Sequence, residues 1–75
     1  MKNERLIFKL AMPSEVYLAV YKGYAKNIST VSIDGRRIEF PADKVRQFLT
    51  HDGIYGVFEM EISAEQKFLS IKQLS

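Results

Sequence analysis

Cysteine is absent from the 75 residues of this chain, and histidine occurs once. Without cysteine, neither a disulfide framework nor a thiolate metal site can support the fold. One histidine with scattered carboxylates offers no metal-ligand spacing, so we expect no metal and no other cofactor. Stability must therefore come from the packing of side chains, with self-association as a further source.

Long hydrophobic runs are also missing, because no apolar stretch approaches the ~20 residues that span a bilayer. The first twelve residues alternate charged with apolar side chains and lack the hydrophobic region of a signal peptide. We therefore expect a cytoplasmic protein that does not enter the membrane. The length predicts a single domain over residues 1–75. A chain of this size buries only about 60% of the surface that it exposes when unfolded, so its core must be compact.

Charge is nearly balanced, with 11 basic and 9 acidic residues, but it is unevenly distributed. Residues 22–46 carry six basic and three acidic side chains, a net charge of +3. The rest of the chain carries five basic and six acidic side chains, a net charge of −1. This mildly basic middle is neither a basic tail nor a stripe, so it indicates nucleic-acid binding only weakly.

Two periodicities divide the chain into seven predicted elements. Residues 6–12 alternate around one apolar face and predict a strand that Pro13 ends. Helical spacing over residues 14–22 predicts a helix. The apolar spacing within 42–53 predicts one or two helical turns. The remaining predicted strands are 24–33, 36–40, 54–62 and 67–74.

The resulting order, β-α-β-β-α-β-β, predicts an α+β fold. Short strands joined by short turns favour a strongly twisted, mostly antiparallel five-stranded sheet. In so small a chain that sheet would roll into a partly open barrel, with one helix and one short helical turn beside it.

The segment SIDGRRIEFPA, residues 32–42, predicts a β-hairpin. Asp34 and Gly35 suit a two-residue type I′ turn, because both tolerate a positive φ. That loop would pair Ile33 with Arg36. The side chains that this register places on one apolar face are Val31, Ile33, Ile38 and Phe40.

The two arginines of this hairpin are predicted to point apart, since adjacent strand residues face opposite sides of a sheet. Arg36 would lie at the solvent end of the apolar face, and Arg37 would lie beside Glu39 on the polar face. The doublet is therefore a poor anion clamp, and Arg37 is the better candidate for binding.

Groups that could perform catalysis do not converge in the sequence. His51 precedes Asp52 in a predicted turn, but neighbours in a turn rarely point the same way and no nucleophile is implied. Glu59 and Glu61 share one face of a predicted strand, where two glutamates are ordinarily solvated. The four glycines form no phosphate-binding loop. We therefore expect no enzymatic activity.

Tyrosines near basic residues form the candidate binding face. Such pairs build stacking platforms for the bases of single-stranded nucleic acids. The alternative is that these amphipathic tyrosines line the rim of a small core with their hydroxyls in water. The candidate residues are Lys22, Tyr24, Lys26, Arg37, Lys44 and Arg46.

Three linked motifs carry a resemblance to a known family. They are Y-x-G-x-A-K at residues 21–26, D-G-R-R-I-x-F-P-A at 34–42, and F-x-T-x-x-G-I-x-G-x-F at 48–58. Together they resemble a short bacterial family named domain of unknown function 2835. The resemblance implies a family without an assigned activity, so it supplies no site residues.

Two hypotheses of function remain at this point. The first is a non-enzymatic module that binds a protein partner or forms a homodimer, because a small sheet exposes edges that another chain can pair with. The alternative is weak binding of single-stranded RNA or DNA through the mildly basic face.

Overall fold

Seven elements follow one another in the order that the sequence predicts, and they confirm both the α+β class and the helix at 14–22. The computed structural model describes residues 2–23 and 26–75. Its elements are β1 (Glu4–Pro13), α1 (Ser14–Lys22), β2 (Asn27–Val31), β3 (Arg37–Pro41), a 3-10 helix (Ala42–Phe48), β4 (Gly53–Ile62) and β5 (Phe68–Gln73).

The five strands form two antiparallel sheets, one with the order β1-β4-β5 and one made of β2 and β3. A bridge links the sheets where Phe8 lies opposite Ser32, and there the Ile33 amide donates to the Ile7 carbonyl oxygen at 2.8 Å. The predicted single five-stranded sheet is therefore wrong, and over residues 2–23 and 26–75 the strands do not close into a barrel.

The hairpin leaves the larger sheet because its apolar face packs onto the core. The Phe40 ring lies 5.5 Å from the Phe8 ring, centroid to centroid, so β3 faces the inner side of β1. Packing face to face buries more apolar surface than pairing along an edge, and burial is the main favourable term in folding.

The hairpin register differs by one residue from the predicted one. Val31 pairs with Arg37, and the Ser32 amide donates to the Arg36 carbonyl oxygen at 2.8 Å. The Gly35 amide donates to the Ser32 carbonyl oxygen at 2.9 Å, and Gly35 has a φ of +90°. The loop therefore has three residues, 33–35, and it ends on a glycine with positive φ, which is the second common hairpin connection.

This shift turns β2 over, because a slip of one residue moves every side chain to the other face. Ile28 and Ser32 are buried, whereas Val31 and Ile33 point to solvent. The predicted inward position of Val31 and Ile33 is therefore wrong. Ile38 and Phe40 of β3 are buried as predicted.

The core lies between the inner face of the larger sheet and a cover made by α1, the hairpin and the 3-10 helix. The Phe58 ring on β4 lies 6.0 Å from the Phe8 ring and 5.0 Å from the Phe48 ring. In a 3-10 helix side chains three residues apart are eclipsed, so Ala42, Val45 and Phe48 share the face that meets this core.

Candidate functional site

The larger sheet has a second side that points away from the core, which we call the outer face. The antiparallel register aligns Lys9 with Val57 and Ala11 with Tyr55 on this side. Leu74 extends the Val57 row, since its amide donates to the Val57 carbonyl oxygen at 2.7 Å. Val31 and Ile33 extend this side beyond the edge of β1, because the Phe8–Ser32 bridge sets Ile33 beside Ile7 and Val31 beside Lys9. The outer face includes Arg5, Ile7, Lys9, Ala11, Val31, Ile33, Tyr55, Val57, Glu59, Glu61, Ser70, Lys72 and Leu74.

Large apolar side chains are exposed on the outer face. Ile33 is 75% exposed, Val31 55%, Tyr55 48% and Leu74 46%. Isolated exposed hydrophobic residues are ordinary, but a group of them on one surface marks an interaction site. The one-residue register shift is what adds Val31 and Ile33 to this group.

Charges of both signs lie on the outer face in adjacent rows. Arg5 and Lys9 belong to β1, while Glu59 and Glu61 belong to the neighbouring strand β4. Arg5 is aligned with Glu61 in the β1–β4 register. The ammonium of Lys72 on β5 forms an ion pair with Glu59 at 3.4 Å. A basic row thus runs beside an acidic row.

A cavity of about 350 Å³ lies at the open end of the hairpin, between the C-terminal end of α1 and the first turn of the 3-10 helix. It is lined by Tyr21, Lys26, Asn27, Pro41 and Asp43. Asn27 and Pro41 are the last pair of the hairpin ladder. The Lys26 carbonyl oxygen accepts a hydrogen bond of 2.7 Å from the amide of Ala42, which ties the two ends of the hairpin together.

Tyr21 contacts one aromatic and one cationic side chain beside the cavity. Its ring stacks on the Tyr17 ring at 5.8 Å, and the Arg46 guanidinium lies 5.4 Å from its centroid. Arg46 Nη1 also donates to the Tyr21 hydroxyl at 3.1 Å. These contacts occupy the surface of the Tyr21 ring that a nucleic-acid base would need for stacking.

The structure gathers some of the sequence-predicted binding residues and separates others. Lys26 and Arg46 both lie next to Tyr21. Lys22 is exposed at the end of α1. The Lys44 ammonium lies instead 5.0 Å from the Phe68 ring on β5. Two candidates remain: Arg37 is exposed at the start of β3, and Tyr24 lies outside the described residues.

Arg36, the neighbour of Arg37, is held in the hairpin turn. Its Nε atom donates to Asp34 at 3.0 Å, and its Nη1 atom lies 3.4 Å from Glu4. The Ser32 hydroxyl donates to the Asp34 carboxylate and accepts from the Arg36 amide at 3.0 Å. The Ser32 hydrogen bond, together with the Arg36 charge, lowers the pKa of Asp34 below its ordinary value of 3.8.

The cavity residues Asn27, Pro41 and Asp43 are not among the binding residues that the sequence predicts. No local signal marks them, because the cavity arises where three separate segments meet. The sequence pattern also did not predict the exposure of Val31 and Ile33. A signal for that existed, since Ile28 has the opposite parity along β2 and only one parity can face the core.

Metal-ligand clusters and membrane-spanning helices are both missing from the part of the chain that the structure describes. Within it no three histidine, aspartate or glutamate side chains gather where a metal ion could be held. Within the same residues every helix is too short and too polar to cross a bilayer.

A family model described as Protein of unknown function (DUF2835) matches residues 4–74. The chain belongs to this family. The resemblance that the three motifs predict is therefore confirmed. Searches of the curated proteins and of the solved structures gave no match to the DUF2835 chain. Its function must accordingly be argued from its own outer face and cavity.

Proposed function

We propose that this DUF2835 domain is a non-enzymatic self-association module that forms a homodimer through its outer face. The observation that supports the proposal is the exposure of Val31, Ile33, Tyr55 and Leu74 on that face. Ile7 and Val57 add half-buried apolar side chains to the same face. Burying this surface against another protein removes it from water, which is the main driving force of association.

The arrangement of charges favours a second copy of this chain as the partner. In a homodimer with two-fold symmetry the same surface meets itself, so it must be self-complementary. An axis parallel to the strands, between β1 and β4, lays β1 of each copy over β4 of the other. Arg5 then faces Glu61 across the interface, and Ala11 faces Tyr55.

Weak nucleic-acid binding, the alternative raised by the sequence, has less support. The Lys44 ammonium lies over the Phe68 ring, whereas the Arg46 guanidinium lies over the Tyr21 ring, so these two cations do not share one aromatic platform. The ring of Tyr21 is packed against Tyr17 and Arg46. A steep fall of RNA affinity with salt would be the signature of this alternative.

Sedimentation equilibrium over a range of concentrations tests the homodimer. A double variant, Ile33→Lys with Leu74→Lys, puts four like charges into the two-fold interface. We expect it to raise the dimer dissociation constant at least about 100-fold, because buried unpaired charges cost several kcal/mol. The matched control is Val16→Lys with Leu18→Lys, two exposed apolar residues on α1.

The expected result is a dimer for the unchanged protein and for the α1 control, and a monomer for the outer-face variant. Well-dispersed NMR spectra from all three proteins would show that each is folded, and the dimeric proteins should unfold at a higher temperature than the monomeric variant because association stabilises the native state. A monomer at every concentration up to about 1 mM, a level at which even a weak dimer forms, contradicts the proposal. Equal dissociation caused by the α1 control contradicts it too.

A further inference from the structure

The cavity at the open end of the hairpin carries opposite charges that do not neutralise each other. Lys26 contributes an ammonium to its lining and Asp43 a carboxylate. Among the described residues the ion pairs involve Arg36 and Lys72, and none joins Lys26 to Asp43. Each charge is therefore available to a ligand that enters the cavity.

The other lining groups add hydrogen bonding and apolar contact. The Asn27 amide can both donate and accept, and the Tyr21 hydroxyl, which accepts from Arg46, keeps its own proton to donate. The Pro41 ring supplies apolar surface. A few polar groups that converge on apolar walls are typical of small-molecule sites.

The volume limits the size of the ligand. At about 350 Å³ the cavity lies near the lower end of the roughly 300–1,000 Å³ range of ligand pockets. A free amino acid fits within it.

The Lys26 backbone holds one side of the cavity in place. Lys26 has a φ of +55°, a conformation that costs free energy for any residue except glycine. Its carbonyl oxygen is held by the Ala42 amide at 2.7 Å. The lysine therefore enters the cavity from a fixed point, which reduces the ordering cost of binding.

We infer that this cavity binds a small zwitterion of the free α-amino-acid class. The ligand ammonium pairs with Asp43, and the ligand carboxylate pairs with Lys26 and accepts from the Asn27 amide. Both pairs are charge-assisted hydrogen bonds, which are about twice as strong as neutral ones. This site is separate from the outer face, so it does not depend on the proposed homodimer.

Titration of the ¹⁵N-labelled protein with L-valine, followed by NMR, tests the inference. Saturable shifts are expected at the amides of Asn27 and Asp43. N-acetyl-L-valine lacks the ammonium and L-valinamide lacks the carboxylate. Each is expected to bind at least about tenfold more weakly than valine, because a lost charge-assisted hydrogen bond leaves its partner unpaired.

Matched variants assign the charges to their residues. Asp43→Asn is expected to weaken valine binding about tenfold and Asp52→Asn to leave it unchanged. Lys26→Gln is likewise expected to weaken valine binding about tenfold, and its control Lys67→Gln to leave valine binding unchanged. Asp43 lies in the first turn of the 3-10 helix, where a negative charge is slightly stabilising, so Asp43→Asn should stay folded with a slightly lower unfolding temperature.

Three outcomes would overturn the inference. The first is an absence of saturable shifts with valine up to about 50 mM, well above the Kd of an ordinary weak ligand. The second is equal binding of valine and its two derivatives. The third is a response of the cavity residues to adenosine monophosphate or inorganic phosphate but not to valine. The Ile33→Lys, Leu74→Lys variant should still bind valine, which separates this test from that of the homodimer.

Discussion

The Tyr17 hydroxyl donates a hydrogen bond of 2.9 Å to the carbonyl oxygen of Ala42. Tyr17 is 1% exposed and Ala42 is fully buried, so this bond crosses the core. It joins α1 to the first residue of the 3-10 helix, the two elements between which the cavity lies. Burial raises the pKa of Tyr17 above 10.0, and the neighbouring Tyr21 raises it further.

Replacing Tyr17 by phenylalanine should lower the free energy of unfolding by about 1 kcal/mol, the usual net value of one hydrogen bond. Urea denaturation at pH 7 measures this loss. Because the folded pKa is raised, the contribution of Tyr17 ionisation to stability is fully present below pH 10.0 and is lost as the pH rises through the folded value. The difference between the two proteins should therefore shrink above pH 10.0, and a constant difference would contradict the assignment.

Two glycines should respond differently to alanine. Gly35 has a φ of +90° and open space around it, so Gly35→Ala should cost about 1–2 kcal/mol of conformational strain. Gly53 has a φ of +135°, and a Cβ atom there would meet the Met12 carbonyl oxygen and lie 2.8 Å from the Ser14 amide nitrogen. Gly53→Ala should cost at least about 3 kcal/mol, since strain and overlap add. Equal midpoints in urea would be evidence against this geometry.

The hairpin turn should show an acid-sensitive contribution to stability. The lowered pKa of Asp34 means that this contribution is present above pH 3.8 and is lost as the pH falls through the folded value. NMR titration of the Asp34 carboxyl should give a pKa below 3.8. Ser32→Ala should raise it, because the Ser32 hydroxyl is the first cause of the shift. An unchanged pKa in that variant would show that Arg36 alone is responsible.

The corrected register can be tested with two isoleucines of the hairpin. Ile28→Ala should lower the free energy of unfolding by about 2–4 kcal/mol, because Ile28 is buried. At protein concentrations low enough to keep the chain monomeric, Ile33→Ala should change it by no more than about 0.5 kcal/mol, because Ile33 is exposed in the single chain. The register with a two-residue loop places Ile33 inward. A large loss of unfolding free energy in Ile33→Ala would therefore support that register. Chemical denaturation of the two variants decides between the registers.

Local patterns predicted the elements well because the signals are local. The alternation around Leu6 and Phe8 and the helical spacing of Tyr17 and Tyr21 each lie within one element. The turn at Asp34 was also located correctly, since aspartate followed by glycine favours positive φ.

Those local patterns do not predict the length of the hairpin loop or the arrangement of the strands into sheets. Asp34 and Gly35 fit a loop of two residues or of three, and each length sends Val31 to a different face. Packing of Ile28 and Phe40 against the core selects the three-residue loop. The same packing draws the hairpin away from the edge of β1 and leaves two sheets.

By itself, the sequence determined the order of the elements, the helix at 14–22, the inner face of β1 and the family. Tertiary structure alone decided which face of β2 is exposed, and hence that Val31 and Ile33 join the outer face. It also decided that Lys26 and Asp43 share a cavity, although 17 positions separate them in the chain. The physical reason is that periodicity reports which side of an element is apolar. Contacts between distant segments depend on how those apolar sides bury one another.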